Sequence, residues 1–328
     1  MQIGYTLMCE QAGPRDLVRF AAEAEEAGFP FAVMSDHYFP WLDSQGHSSY
    51  AWSVLGAVAQ ATQRLELMTY VTCPTVRYHP AVVAQKAATI GLLSDGRFTL
   101  GLGAGENLNE HVVGGGWPPV NVRHDMLGEA LDIIDALFDG GYVSYRGRHF
   151  HVNSAKLWDL PERRVPIGVA VSGPQSVDAF APKADVMIST EPDPELGPRW
   201  DAARASSGSS SGTARKVGQL PVSWDADENA AVARAHDQFR WFAGGWKVNA
   251  ELPGTAAFAG ASQFVRPEDV AQQLPCGDSV EKIVEGVRPF VEAGYTDVAL
   301  VQIGGDAQGP FLEAAAKEIL PGLAEAFA

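Results

Sequence analysis

Acids and a histidine stand where apolar runs of this chain end. Glu10 follows "QIGYTLMC", Asp36 and His37 follow "FAVMS", and Glu106 follows "TLGLGAG". A carboxylate and an imidazole that meet on one rim can take and return protons during a bond-making step. Each residue also has a plainer reading. Asp36 fits a turn cap, His37 a satisfied loop histidine, Glu106 a helix cap and Trp41 a core aromatic. Their joint placement at successive strand ends is what favours a site, because chance caps would not require it.

Those ends need elements to hold them. "QIGYTL" reads as a strand and "PRDLVRFAAEAEEAG" as a helix, with Pro14 at its start and Gly28 at its end. The unit repeats through "FAVMSD", "ELMTYVT" and "RFTLGLGAGE", each followed by a helical stretch. In "HDMLGEALDIIDALFDG", Leu127, Ala130, Leu131, Ile134, Leu137 and Phe138 share one helical face. "YVSYRGRHFHV" reads as a hairpin, and "VPIGVAV", "DVMIST", "QLPVSWD" and "DVALVQIGG" as further strands. Continuous apolar strands separated by helices predict a parallel sheet covered outside. Eight such strands predict a (β/α)8 TIM barrel, in one domain spanning residues 1–328. In that fold, polar residues at the C-terminal strand ends read as functional. "RASSGSSSGTARK" reads as a mobile polar connection, and "GGWKVNAELPGTAAFAGASQF" as a long irregular insertion over the catalytic face.

Composition narrows the chemistry. The chain has 328 residues, 46% of them hydrophobic, and a net charge of −16. That charge disfavours nucleic acid and anionic membranes, which need a basic face. Cys9, Cys73 and Cys276 are far apart and odd in number, as in a cytoplasmic protein with reduced thiols. The N-terminus lacks a basic region followed by an apolar run, so no signal peptide is expected, and no stretch is long enough to span a membrane. "GLGAGEN" is not a dinucleotide fingerprint: Gly101, Gly103 and Gly105 alternate and no helix opens directly behind them. Alternating glycines fit a strand approached closely by a flat ligand or another backbone. His149 and His151 flank Phe150 without a third ligand nearby, so no metal is expected.

With "SDHYFPW", "TCPTVRYHPAVVAQ", "GLGAGENLNE", "VSGP" and the final "GPFLE" in hand, the chain resembles the luciferase-like superfamily nearly end to end. Within it, the chain resembles the coenzyme F420-dependent branch that includes F420-dependent glucose-6-phosphate dehydrogenase. The resemblance implies a deazaflavin ring at the C-terminal rim, contacted by Asp36. His37, Trp41 and Glu106 would face the substrate, with Glu10 near them. Asn109 would help hold the cofactor, and a non-prolyl cis peptide would fall at Tyr70–Val71. Cys73 stands where a threonine is often found. Val171, Ser172 and Gly173 would offer N–H groups to the cofactor phosphate, with Thr190 on the same side. A homodimer is also implied.

The resemblance further implies a proton acceptor for an alcohol that loses hydride, either Glu106 or His37. It departs at the sugar-phosphate clamp. Asp193 stands at one lysine position, Gln272 or Gln273 at the arginine position, and the second lysine falls near Ser262. An aspartate repels a phosphate, so an unphosphorylated alcohol or aldehyde is expected and glucose 6-phosphate disfavoured. Lys247, Arg199 and Arg266 remain as cations able to rebuild a clamp. The competing expectations are an FMN-dependent monooxygenase and a ligand-binding barrel without turnover.

Overall fold

The computed structural model describes residues 1–208 and 214–328. Eight parallel strands close into a barrel: β1 (Gln2–Leu7), β2 (Phe31–Met34), β3 (Glu66–Thr69), β4 (Phe98–Leu102), β7 (Ile167–Ala170), β8 (Val186–Ile188), β9 (Arg215–Val222) and β10 (Asp297–Gln302). Strands β5 (Val143–Arg146) and β6 (His151–Ala155) form the separate antiparallel hairpin read from the sequence. The barrel closes where Tyr5 pairs with Ala32 on one side and with Leu300 on the other. This is the (β/α)8 barrel that the strand count predicted.

Local sequence explains the elements. The helix Pro14–Ala27 begins on Pro14 and ends on Gly28, whose φ of 103° suits a residue without Cβ. It buries Leu17, Phe20, Ala21 and Ala24, the i, i+3, i+4, i+7 stripe. The helix Val120–Phe138 buries all six of the apolar positions that share its face. Alternation along the strands sorts residues between two cores. Val298 and Leu300 pack outward against the helices, whereas Ala299 joins Phe31, Val33, Met68, Val186, Ile188 and Val217 inside the barrel.

Two expectations change. In "RASSGSSSGTARK", Arg204–Ser206 finish the helix Leu196–Ser206 and Arg215–Lys216 begin β9, while residues 209–213 lie outside the described residues. The supposedly irregular insertion contains helices Trp246–Asn249 and Gly254–Ala261, the second burying Phe258. Pro253 and the short apolar run behind it signal that helix start; the glycines on either side obscured it.

The alternating glycines pack against the chain itself. A Cβ on Gly101 would stand 1.9 Å from the Thr69 carbonyl oxygen, and one on Gly103 would meet Val71 at 2.6 Å. Gly101 N–H donates to Thr69 Oγ1 at 2.9 Å, and that hydroxyl donates back to the Gly101 carbonyl at 2.8 Å. Of the two partners considered for these glycines, the neighbouring strand takes Gly101.

Candidate active site

A cavity of about 230 Å³ opens at the C-terminal rim. Residues after five strands line it: Glu10 after β1, His37 after β2, Tyr70 and Val71 after β3, Glu106 after β4, and Val171 and Ser172 after β7. Thr190, beyond β8, and Trp41 join them. The barrel therefore gathers all four of the residues read as catalytic.

His37 is the centre of this group. Its Nδ1 lies 3.1 Å from the Phe39 carbonyl oxygen and 3.1 Å from Glu10 Oε1. Two acceptors on one nitrogen call for a proton there, so in the tautomer they select Nε2 carries the lone pair whenever the ring is uncharged. Nε2 stands 3.6 Å from Glu106 Oε1. Glu10 is itself fixed, since the Ser35 hydroxyl donates to its Oε2 at 2.5 Å. Trp41 tilts over the imidazole at 4.8 Å and stacks on Trp241 at 4.0 Å, with Phe258 edge-on behind it.

Asn109 and Asp36 lie behind the wall rather than on it. Asn109 Nδ2 donates to Glu106 Oε1 at 2.5 Å, and its Oδ1 accepts the Tyr38 and Phe39 N–H groups at 2.7 and 3.0 Å. It thus ties the acid after β4 to the loop carrying His37. Asp36 is 2% exposed and already supplied with donors. Trp52 Nε1 and Thr72 Oγ1 donate to Oδ2, while Tyr78 OH and an Arg77 nitrogen donate to Oδ1. A carboxylate used in this way frames the site, and it stands behind the cavity wall where a contact with the ring was expected. Cys73 is likewise buried behind the wall, where burial pushes its thiol well up and the Glu106 charge adds to the effect.

Glu110 joins the same frame. It accepts the Arg77 N–H at 2.6 Å, yet burial raises its carboxyl from 4.5 to about 7. Desolvation of the charged form outweighs the single donated bond and the nearby guanidinium.

The far end differs from expectation too. The Val171 N–H is spent on the Ile188 carbonyl and the Ser172 N–H on Ser176 Oγ, so neither amide is free for a phosphate. Gly173 is not on the wall. That end instead offers the Ser172 and Thr190 hydroxyls, with Arg123 and His124 from the head of the helix Val120–Phe138, while the Ser176 hydroxyl donates to the Gly173 carbonyl. Burial lowers His124, and the adjacent Arg123 charge lowers it further. The Tyr70–Val71 peptide is cis, at the bond the resemblance indicated.

Sequence reasoning missed Arg123, Trp241 and Trp246. Arg123 sits in an ordinary amphipathic helix, and nothing in its spacing sets it apart. The aromatics of "FRWFAGGW" were visible as a cluster, but only the fold brings Trp241 onto Trp41. Among the described residues lining the cavity, Arg123 is the sole arginine or lysine. Arg199 pairs with Asp178 and Arg266 with Asp269 on the surface, and Lys247 is exposed and off the wall. Asp193, Ser262, Gln272 and Gln273 do not line the cavity either. Among the described residues no cluster suits a metal ion, and no helix is long and apolar enough to cross a membrane.

A barrel with its acids and imidazole on the C-terminal rim defines a class, and the comparisons narrow it. Residues 1–297 match the luciferase-like monooxygenase family, and the chain belongs to it. Among curated relatives, the F420-dependent glucose-6-phosphate dehydrogenase of Microbacterium testaceum is 33% identical, covering 100% of this chain and 99% of its own length. The protein of the same name from Beutenbergia cavernae is 34% identical, over 98% of this chain and 97% of its own. Among solved structures, an F420-dependent secondary alcohol dehydrogenase in complex with an F420–acetone adduct superposes with a TM-score of 0.88. It shares 28% identity and covers 98% of each chain.

Proposed function

We propose that this protein is an F420-dependent oxidoreductase that interconverts an alcohol and its carbonyl compound. The observation carrying this is the Glu10–His37–Glu106 arrangement on the wall of the rim cavity. The relatives named for coenzyme F420 support the choice of cofactor. The cavity's chemistry fits that group. Val71 and the small residues Gly103 and Ala104 offer a flat apolar wall, while hydroxyls with Arg123 and His124 offer a polar end for an anionic tail. When bound, F420 supplies the hydride acceptor or donor.

The chain's residues manage the proton. As hydride leaves an alcohol carbon, the hydroxyl proton must leave too, and His37 Nε2 is the basic atom aimed into the cavity. Glu10 and Glu106, at 3.1 and 3.6 Å, flank the imidazolium that forms and offset its charge. Trp41, held between His37 and Trp241, limits where a substrate carbon can sit and keeps water away. Running backwards, the same imidazolium returns the proton to a carbonyl oxygen.

Trp41, Phe239, Trp241, Phe242 and Trp246 crowd one wall without a lysine among them, which favours a neutral alcohol. This preference rests on the cavity's side chains alone. The curated relatives' names keep glucose 6-phosphate in any substrate panel.

The test is a titration of the purified protein with F420, FMN and NADPH, followed by cofactor reduction with glucose 6-phosphate and neutral alcohols. F420 binding with alcohol-driven bleaching of its absorbance is expected. Tight FMN binding with no F420 binding would transfer the protein to the monooxygenase reading. Reduction by glucose 6-phosphate alone would overturn the neutral-alcohol preference.

A further inference from the structure

We infer that Glu251 is the latch of a strap, residues 245–251, whose release opens the cavity. Two walls meet there. One carries Glu106 after β4 and then Val120, Arg123 and His124; the other carries Gly245, Trp246 and Asn249. Glu251 lines neither, yet it ties them together. One carboxylate oxygen accepts the Trp117 indole N–H at 3.0 Å, and the other accepts from Arg123 at 3.0 Å. The Glu251 carbonyl accepts from Asn107 Nδ2 at 3.1 Å, and the Ala250 carbonyl accepts the Asn107 N–H at 3.0 Å. Four hydrogen bonds thus cross from wall to wall within two residues of the strap. Asn107 immediately follows Glu106, so the strap is pinned one residue away from the acid beside His37.

The latch is built to let go. The Glu251 side chain is 53% exposed while that of Arg123 is 3% exposed. Water screens the Glu251 end of this pair, and the buried Arg123 guanidinium keeps its bond to the Pro118 carbonyl when the carboxylate leaves. Gly245 and Gly254 flank the strap at φ +71°, a region glycine enters and leaves at small cost. Two glycine ends and a screened tie are what a segment that swings at its ends requires. When the carboxylate lets go, only the two Asn107 bonds of the four, to the strap's carbonyls, remain, and once these part too, Trp246 and Asn249 move off the cavity and its contents exchange.

The inference rests on the F420 reading, so F420 is the probe and wild-type binding is the control. Stopped-flow fluorescence gives association and dissociation rates for wild type, Glu251→Ala and Glu251→Gln. Both rates should rise at least about threefold in Glu251→Ala, because a gate alters passage in both directions whatever the unpaired Arg123 does to Kd. Glu251→Gln keeps an acceptor for Trp117 and should fall between the two. Hydrogen exchange should speed up over residues 245–254 while the barrel strands stay protected. A rise in dissociation alone makes Glu251 an affinity contact and overturns the latch, as do unchanged rates in both variants. Failure of wild type to bind F420 would sink the function reading instead.

Discussion

Asn109 offers a sharp test of how the site is held. Its side chain is 1% exposed and makes three bonds: to the N–H groups of Tyr38 and Phe39, and to Glu106. Asn109→Ala deletes all three. Each part-buried N–H left without an acceptor costs about 1 kcal/mol, and the bond to a carboxylate contributes about 1.5–3 kcal/mol. With some relief from entering water, the expected loss is about 2–4 kcal/mol in urea unfolding. Turnover should fall as well, because Glu106 and the His37 loop lose their common tie. Asn109→Asp keeps an acceptor for the two N–H groups but sets a second carboxylate oxygen against Glu106. It should hold the loop better than alanine does, at a stability cost from the like charge it sets beside Glu106. The reasoning fails if Asn109→Ala unfolds within about 0.5 kcal/mol of wild type, the range of an ordinary surface change.

Other outcomes follow from the same geometry. Glu106→Gln should leave F420 affinity nearly intact and lower turnover by about 10²-fold or more; unchanged steady-state rates would remove Glu106 from the proton path. Glu110, raised from 4.5 to about 7, binds a proton more tightly folded than unfolded. Its stabilising effect is full below about 4.5 and is lost as pH rises through about 7. Glu110→Gln should flatten this fall, by at most about 3 kcal/mol, in unfolding curves taken from pH 4.5 to 8. Gly101→Ala would drive a Cβ into the Thr69 carbonyl, whereas Gly103→Ala meets only a Val71 methyl. Melting temperatures should therefore drop further for the first, and equal drops would count against the close-packing account.

Most of the barrel could be read from residue types, because strand and helix periods differ and the chain alternates them cleanly. Gly28 and Pro14 marked ends that the structure confirms. The gathering of Glu10, His37 and Glu106 on one rim was readable for a related reason: strand ends on one side of a barrel must converge, whereas Trp41, a core aromatic by its own spacing, was placed there by the resemblance alone. Which way a side chain turns was not readable. Asp36 and His37 are neighbours in sequence, yet one is spent on Trp52, Thr72, Arg77 and Tyr78 while the other enters the cavity. The amides of Val171 and Ser172 looked available until their partners came from β8 and from Ser176. Such pairings join residues up to tens of positions apart, and no local pattern encodes them.

The cavity's two kinds of wall come from different parts of the chain. The groups proposed to handle protons stand just past strand ends of the barrel, whereas Phe242, Trp246 and Asn249 lie beyond the helix Glu228–Phe239. Changes at Phe242 and Trp246 can reshape what the cavity admits while the Asn107 bonds to Ala250 and Glu251, beside Glu106, stay in place. The wall proposed to select the substrate and the groups proposed to handle the proton therefore rest on different segments and can be engineered apart. A library confined to those two positions should yield new substrates while the hydride partner stays the same.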